Sequence, residues 1–508
     1  MPSKQPNIVL IMADQLAPQF TGAYGHKVVK TPNIDALAAR GAKFNAAYCN
    51  SPLCAPSRFS FMSGQLISRI AAYDNGTEFS AQIPTFAHYL KVMGYRTALS
   101  GKMHFVGPDQ KHGFEDRVTT DIYPSDFAWT PDWEAHDERI DKWYHNMQTV
   151  KESGMAMATF QIDYDEEVGF AAKRRLFDYA RDQDYPFCMV ASFIHPHDPY
   201  VARPEFWNLY NDDDIDMPVN PMSRDQLDPM SQRLMDGIEA SDIQLTDEEV
   251  RRARRAYYAN VSYFDSKVGE LVQTIEEMGE LDNTIFIITA DHGDMLGEKG
   301  LWYKMSWFEH SARVPMIMAG PGIKAGHEVD NACSLVDLLP TMLDMASADG
   351  TSVPEFGMPI DGRSLLPAAR GEADTDDLAI GEYCAEMTPY PVVMIRRKNM
   401  KYIHCDIDPA QLYDLENDPA ELTNLANDPA YADTAQAFAD EVAHRWDLTK
   451  LRADVVRTQK QRRAIHAAME AGAGEPWDYN PPRDASNEYV RNNQDWTVAA
   501  ARFRYPKG

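Results

Sequence analysis

The chain has 508 residues, 44% of them hydrophobic, and a formal net charge of −28. That length holds a large core and more than one folded unit, and so negative a charge argues against nucleic acid and anionic membrane as partners. Six cysteines without a CxxC pair make neither a disulfide framework nor a zinc knuckle, and no leader-like or membrane-length apolar run opens the chain, so a cytoplasmic location is expected.

Short apolar runs at 7–12, 95–100, 187–193, 284–289 and 314–319 read as buried parallel strands. Helical patterns between them predict an α/β sheet. Thr31-Pro32 opens a helix with a capping hydroxyl and Gly41 closes it. Residues 56–63 read as a helix stopped by Gly64, which puts Cys54 at a helix N-terminus, where an anion is favoured. Past about residue 375 come short strands at 378–385, 390–397 and 400–405, then 411–415. Their connections are too short for crossover helices, so they pair antiparallel. A charged helix is expected over 433–471. The irregular tail holds Trp477, Tyr479, Tyr489, Trp496, Phe503 and Tyr505. Disordered tails are poor in aromatics, so this one is expected to dock on a folded surface. The expected organisation is a large α/β domain (1–374), a small C-terminal α+β subdomain (375–474) and a C-terminal tail (475–508).

Each of the first four strands is followed at once by polar groups. Asp14 and Gln15 follow the first, Lys102 and His104 the second, His195 and His197 the third, Asp291 and His292 the fourth, with Lys304 further on. Ligands of an open parallel sheet bind beyond its carboxyl ends, so four segments deliver carboxylates, imidazoles and ammonium groups to one edge. Singly, each has a plain structural reading. Asp14 suits a turn, Lys102 and His104 suit a surface loop, and 195–199 suits a rigid Pro-rich loop with one satisfied histidine. Together they suit chemistry on an anion. Asp14, Gln15 and Asp291 offer oxygens to a hard cation such as Ca²⁺ or Mg²⁺. Arg58 and the lysines can stabilise charge on a transferring group, and the histidines can move protons.

Cys54-Ala55-Pro56-Ser57-Arg58 carries the pattern read by the machinery that oxidises a cysteine to Cα-formylglycine. Further matches are Pro6-Asn7-Ile8-Val9 leading to Asp14, Thr31-Pro32-Asn33-Ile34-Asp35, Gly101-Lys102-Met103-His104, Ala290-Asp291-His292-Gly293-Asp294 and Gln411-Leu412-Tyr413-Asp414-Leu415. On these the chain resembles the sulfatase family of the alkaline-phosphatase-like superfamily. The resemblance implies a large, mixed but mostly parallel sheet flanked by helices, plus a small C-terminal antiparallel sheet with a helix. It implies that a formylglycine-generating enzyme modifies Cys54 during maturation. It implies a divalent cation, Ca²⁺ ahead of Mg²⁺ or Mn²⁺, held by Asp14, Gln15, Asp291, His292 and residue 54. Arg58, Lys102, His104, His197 and Lys304 would bind sulfate and move protons. Gln15 and His292 stand where many sulfatases have Asp and Asn or Gln, as in choline sulfatases and phosphonate monoester hydrolases.

Within the family, Lys102-Met103-His104-Phe105-Val106-Gly107, His195-Pro196-His197-Asp198-Pro199-Tyr200 and the tail most resemble the choline sulfatases. That implies a small-molecule sulfate ester, choline-O-sulfate, as substrate, contacted by Asn75, Trp129, His145 and Glu386. Aromatic faces and a carboxylate are natural partners of a trimethylammonium group, which cannot donate strong hydrogen bonds. It also implies a homo-tetramer in which Asp495 or Trp496 of one tail helps close a neighbour's pocket. Two other readings stay open on the residues: a phosphonate monoester or phosphodiester hydrolase on the same scaffold, and a non-catalytic binding or assembly protein.

Overall fold

The first apolar run forms strand β1 (Asn7–Asp14), buried at every position. In chain order follow helix α1 (Pro32–Arg40), strand β2 (Ala42–Phe44), helix α2 (Cys54–Ser63), strands β3 (Arg96–Gly101) and β4 (Asp116–Arg117), helix α3 (Phe160–Arg181), strand β5 (Phe187–Pro196) and helix α4 (Asp247–Glu277). Strands β6 (Thr284–Ala290), β7 (Met316–Ala319) and β8 (His327–Val329) complete one sheet, in the order β8-β2-β7-β6-β1-β5-β3-β4. The computed structural model describes residues 5–135, 145–182, 184–347, 350–373, 376–472, 477–482 and 485–506. Both expected domain boundaries, at 374/375 and 474/475, fall outside them.

Strand β1 lies at the centre, parallel to β5 and β6, with Val9 opposite Met189 on one side and Phe286 on the other. Helices cover both faces of such a sheet, which is why its strands read as unbroken apolar runs. The fifth run departs from the expectation of parallel strands: β7 runs antiparallel to β6. A parallel return needs a long crossover, and the segment between them holds only short turns, Glu298–Gly300 and Glu309–Ala312. The Thr31 hydroxyl does not cap α1. It accepts from Gly22 N (2.8 Å) and donates to Asp35 Oδ1 (3.0 Å). The first N–H groups of α1 go instead to Asp265 of α4, with Ile34 N at 2.8 Å. Gly41 is required at the helix end, because a Cβ there would lie 2.0 Å from Met318 O.

The C-terminal sheet comprises strands β9 (Leu378–Tyr383), β10 (Val392–Arg397), β11 (Met400–Cys405) and β12 (Asp408–Asp414), all antiparallel. The expected single helix is two, α5 (Ala432–Arg445) and α6 (Leu448–Ala471). The break falls where Asp447 caps α6 through Lys450 N (2.9 Å) and Trp446 Nε1 donates to Glu382 Oε1 (2.6 Å). Helix α7 (Trp496–Phe503) belongs to the tail, which lies on its own chain. Tyr505 OH donates to Met278 O (2.5 Å) and Tyr479 OH to Arg117 O (3.1 Å). Among the described residues, no helix is long and apolar enough to cross a membrane.

One ion cluster fastens the small sheet to the large domain. Lys401 of β11 is wholly buried, and its Nζ meets Glu421 Oε1 (2.5 Å), Glu309 Oε1 (2.9 Å) and Trp307 O (2.7 Å). Burial disfavours the charge on Glu309, but Lys401 together with Arg313 and Arg396 holds that carboxyl below its ordinary range. Removing Lys401 leaves two buried carboxylates that have lost their shared cation, with Arg313 remaining 3.6 Å from Glu309 Oε2. We expect Lys401→Met to lower stability by about 3–5 kcal/mol in urea unfolding; a loss under about 1 kcal/mol would show that the cluster is solvated and does not join the two parts.

Candidate active site

Helix α2 begins at Cys54, with Leu53 as its N-cap residue, two residues earlier than the sequence pattern predicts. The thiol therefore sits in the first turn, at the carboxyl end of the sheet, where backbone N–H groups favour negative charge. Asn75 Oδ1 accepts one of those groups, Ala55 N (3.0 Å), and Ser57 Oγ donates to Asp291 O (2.6 Å). Around Cys54 stand Asp14, Asp291 and His292, all buried, each offering one ligand atom within 4.8 Å of the others. Cys54 Sγ is 3.3 Å from His292 Nε2 and 3.9 Å from Asp14 Oδ1.

Arg58 lies one turn further along α2, wholly buried. Its Nη2 donates to Asp14 Oδ2 and its Nε to Asp291 Oδ2, both at 2.9 Å, while Nη1 reaches Lys102 O (2.7 Å) and Ser192 Oγ (2.8 Å). Every guanidinium nitrogen is thus engaged by the protein, and Arg58 orients the two carboxylates. Lys102 Nζ also binds Asp14 Oδ2 and lies 4.4 Å over the Tyr123 ring. Burial alone would raise the Asp14 pKa, but Lys102, His197 and Arg58 together hold it well below the ordinary carboxylate range. Burial lowers His292 to about 4, which keeps its imidazole neutral and its Nε2 able to donate a lone pair. Two oriented carboxylate oxygens and a neutral imidazole fit a divalent cation. Asp14 Oδ1 turns inward to the group, 3.9 Å from Cys54 Sγ, His197 Nε2 and His292 Nε2. An oxygen in place of the Cys54 sulfur would suit a hard ion better than the thiol does.

Gln15 stands beside this group with its side chain engaged elsewhere. Its Oε1 accepts from Lys304 Nζ (2.6 Å), and its Nε2 donates to Asp294 Oδ2 (2.7 Å) and Asp198 Oδ1 (3.3 Å). Lys304 Nζ also lies 2.8 Å from His197 Nε2. His197, His145 and Asp198 form a second close group, but the Lys304 ammonium beside it works against a bound cation there. His104 is buried with no hydrogen-bond partner on either ring nitrogen. Burial keeps its imidazole below the ordinary histidine range, although Cys54 pulls the other way.

A cavity of about 200 Å³ opens over Cys54, lined by Asn75, Tyr123, Trp129, His145, His197 and Lys304, with Glu386 and Asp198 completing its wall. The Tyr123 and Trp129 rings lie 4.8 Å apart, tilted at 54°. His145 donates or accepts at Nδ1 with Asp198 Oδ2 (3.0 Å) and stacks on Tyr303 at 4.5 Å. Asp495 lies elsewhere in this single chain. It caps α7 through Thr497 N (2.9 Å) and is not part of the cavity wall. His195 also stays out: its Nδ1 meets Asp165 Oδ2 (2.7 Å), the satisfied histidine of the Pro-rich loop.

Several site residues carried little signal in the sequence. Tyr123 lies in a stretch, 119–124, that resembles the choline sulfatases without marking which of its side chains lines a site, and Phe160 at the cavity rim reads as the exposed start of α3. Asp294 is buried, accepts from Tyr200 OH (2.8 Å), Tyr303 N (3.0 Å) and Gln15, and is raised by burial to about 6. Its place in the Asp-His-Gly-Asp run was the one available hint.

Residues 6–348 match the family model described as sulfatase, 453–505 the one described as choline sulfatase enzyme C terminal, and 297–447 the one described as N-sulphoglucosamine sulphohydrolase, C-terminal. The choline-sulfatase of Rhizobium meliloti (strain 1021) is 47% identical over 516 residues, covering 100% of both chains. Arylsulfatase K of Homo sapiens is 31% identical over 444 residues, covering 82% of this chain and 78% of that protein. The phosphonate monoester hydrolase of Agrobacterium radiobacter superposes with a TM-score of 0.68 at 24% identity, over 89% of this chain and 96% of that one, a likeness of fold.

The donor set makes the metal measurable. Asp291→Asn keeps the shape of the side chain and removes one charged donor. We expect it to weaken retention of a divalent cation by about tenfold or more, read by elemental analysis after dialysis against graded chelator. Wild-type retention in the variant would remove Asp291 from the ligands.

Proposed function

We propose that this chain, which belongs to the sulfatase family, hydrolyses choline-O-sulfate to choline and sulfate. It is a sulfuric ester hydrolase. The observation that carries the choice of ester is one cavity holding both ends of such a substrate: Cys54 at its floor, Trp129, Tyr123 and Glu386 in its wall. The full-length likeness to a choline-sulfatase supports it.

With residue 54 as formylglycine and a divalent cation beside it, the centre would supply a hydrated aldehyde as the oxygen nucleophile, of lowered pKa, for attack on sulfur. The chain's own groups supply the rest. Arg58 and Lys102 fix Asp14, and Arg58 fixes Asp291, so the centre does not reorganise as charge develops. Lys304 Nζ lines the cavity and donates toward His197 Nε2, so the pair holds a proton at the edge where the alcohol leaves. His104, buried and close to residue 54, would take the proton from it. Trp129 and Tyr123 offer ring faces, and Glu386 a carboxylate, to the trimethylammonium group.

Maturation requires a formylglycine-generating enzyme acting on Cys54. Six cysteines, all buried, suit a reducing compartment such as the cytoplasm. For assembly we propose a homo-tetramer of two-fold related dimers. Support comes from α7, where Trp496 is 72% and Val498 67% exposed on the single chain, more apolar surface than a free helix face ordinarily leaves in water.

Two measurements test this reading. Trp129→Ala and Glu386→Ala are expected to weaken choline-O-sulfate use by about 1–2 kcal/mol each while sparing an aryl sulfate that carries no cationic group. Equal losses on both esters, or diester turnover well above sulfate ester turnover in the wild type, would overturn it. Deleting 475–508 should lower the assembly mass by light scattering; an unchanged mass would rule out the tail as its contact.

A further inference from the structure

Helix α6 buries one stripe, Leu448, Leu451, Val455, Gln459 and Arg462, at the spacing of a single helical face. Its first half is apolar and rests on the C-terminal sheet with Val393 and Leu412. Its second half is polar, and those polar groups are not spent on the subdomain. They reach across to two loops of the large domain, which carry Asn75 and Trp129, and through Trp133 to the subdomain's own loop that carries Glu386.

The central contact is Arg462, 6% exposed. Its two terminal nitrogens fork onto Asp74, Nη2 to Oδ2 at 2.7 Å and Nη1 to Oδ1 at 2.5 Å, and Nη1 also donates to Thr130 Oγ1 (3.1 Å). Asp74 precedes Asn75, and Thr130 follows Trp129. One guanidinium therefore joins the loop that carries Asn75 to the loop that carries Trp129. The two loops are in direct backbone contact: a Cβ on Gly76 would lie 2.6 Å from Thr130 N and 2.7 Å from Trp129 C. Asp74 is wholly buried and also accepts from Gly76 N (3.0 Å), so the turn bearing Asn75 is organised around the carboxylate that Arg462 holds.

One turn back on α6, Gln459 Oε1 accepts from Trp133 N (2.9 Å), and Trp133 Nε1 donates to Ala385 O (2.7 Å). Ala385 precedes Glu386. Further back, Asp454 Oδ2 accepts from Tyr73 OH (2.6 Å). The same helix face thus sets the positions of Asn75, Trp129 and Glu386 without touching the cavity. The strand-end group of Asp14, Cys54, Asp291 and His292 has its own anchor in Arg58, and α6 reaches it only at second hand, through Asn75 Oδ1 and Ala55 N.

We infer that α6 is a specificity clamp, in which Arg462 and Gln459 are positioning residues that fix the spacing of the cation-binding wall relative to the hydrolytic centre. The inference rests on the choline-O-sulfate reading. A trimethylammonium group makes no directional hydrogen bond, so its recognition depends on the simultaneous distance of several faces, and a loose wall loses it. An ester without the cationic group leans on the strand-end group alone and feels the clamp little.

The test compares KM and kcat for choline-O-sulfate and for 4-nitrophenyl sulfate, an aryl ester that carries no cationic group. Arg462→Met strands Asp74 in the interior and risks unfolding. Arg462→Lys keeps a cation near Asp74 but loses the fork and the Thr130 contact, and Gln459→Ala leaves the ion pair intact, so these two variants carry the test. In both, kcat/KM for choline-O-sulfate should fall about 10- to 100-fold, chiefly through KM, while the aryl ester changes by less than about threefold. Equal losses on the two esters, or wild-type use of choline-O-sulfate in both variants, would overturn the clamp and leave the substrate reading standing. A wild-type enzyme that shows no preference for choline-O-sulfate over the aryl ester would overturn the substrate reading and the clamp with it.

Discussion

Everything at the centre hangs on one buried guanidinium. Arg58 lies between Asp14 and Asp291, wholly out of water, and bonds both. Taking such charges out of water costs several kcal/mol per ion, returned only where geometry is good and the remaining donors are satisfied. Here they are satisfied, because Lys102 O and Ser192 Oγ take the last N–H groups. Those partners come from the ends of β3 and β5, and the carboxylates from the ends of β1 and β6. Four strand ends must therefore stay in register for the cluster to exist, and the sheet's fully apolar core is what holds them there. With Lys102 counted, two carboxylates face two cations. The charge of a bound divalent cation would then be met by the substrate anion and the nucleophile, so the centre favours a negatively charged ester electrostatically.

The backbone around the cluster is bent to reach it. Gln15, His104 and Tyr303 have φ of 66°, 60° and 68°, left-handed conformations that non-glycine residues rarely adopt. Each gives its backbone N–H to a buried carboxylate: Gln15 to Asp291 (3.1 Å), His104 to Asp121 (2.8 Å) and Tyr303 to Asp294 (3.0 Å). The acidic groups thus do two things. They assemble the polar centre, and they hold the strained turns that aim side chains into it.

The molecule separates chemistry from selection. On the proposed reading, the hydrolytic group rides on strand ends and the first turn of α2, while the walls that would meet the rest of a substrate ride on loops. Those loops are braced from outside by the C-terminal subdomain, which is itself fastened to the large domain through Lys401. A small antiparallel sheet that touches no reacting atom therefore has a reason to be attached.

The strands and their chemistry were legible in the chain. Unbroken apolar runs ending in Asp14, Lys102, His197 and Asp291 mark buried parallel strands with polar groups at one end, because a sheet covered on both faces tolerates nothing else along its length. Gly64, which closes α2 in the left-handed conformation with φ of 67°, was equally plain. What the chain could not show was partnership between residues far apart in sequence. Asp265, 231 residues from Ile34, takes the capping role that Thr31 appeared to hold. Arg462 lies 388 residues from Asp74 and reads as one more charge on a charged helix. Residue type and local period are properties of neighbours along the chain, so they fix strands, turns and the donors available. Which carboxylate a buried cation meets is decided only when distant segments exclude water from the same small volume, and that is a property of the tertiary fold.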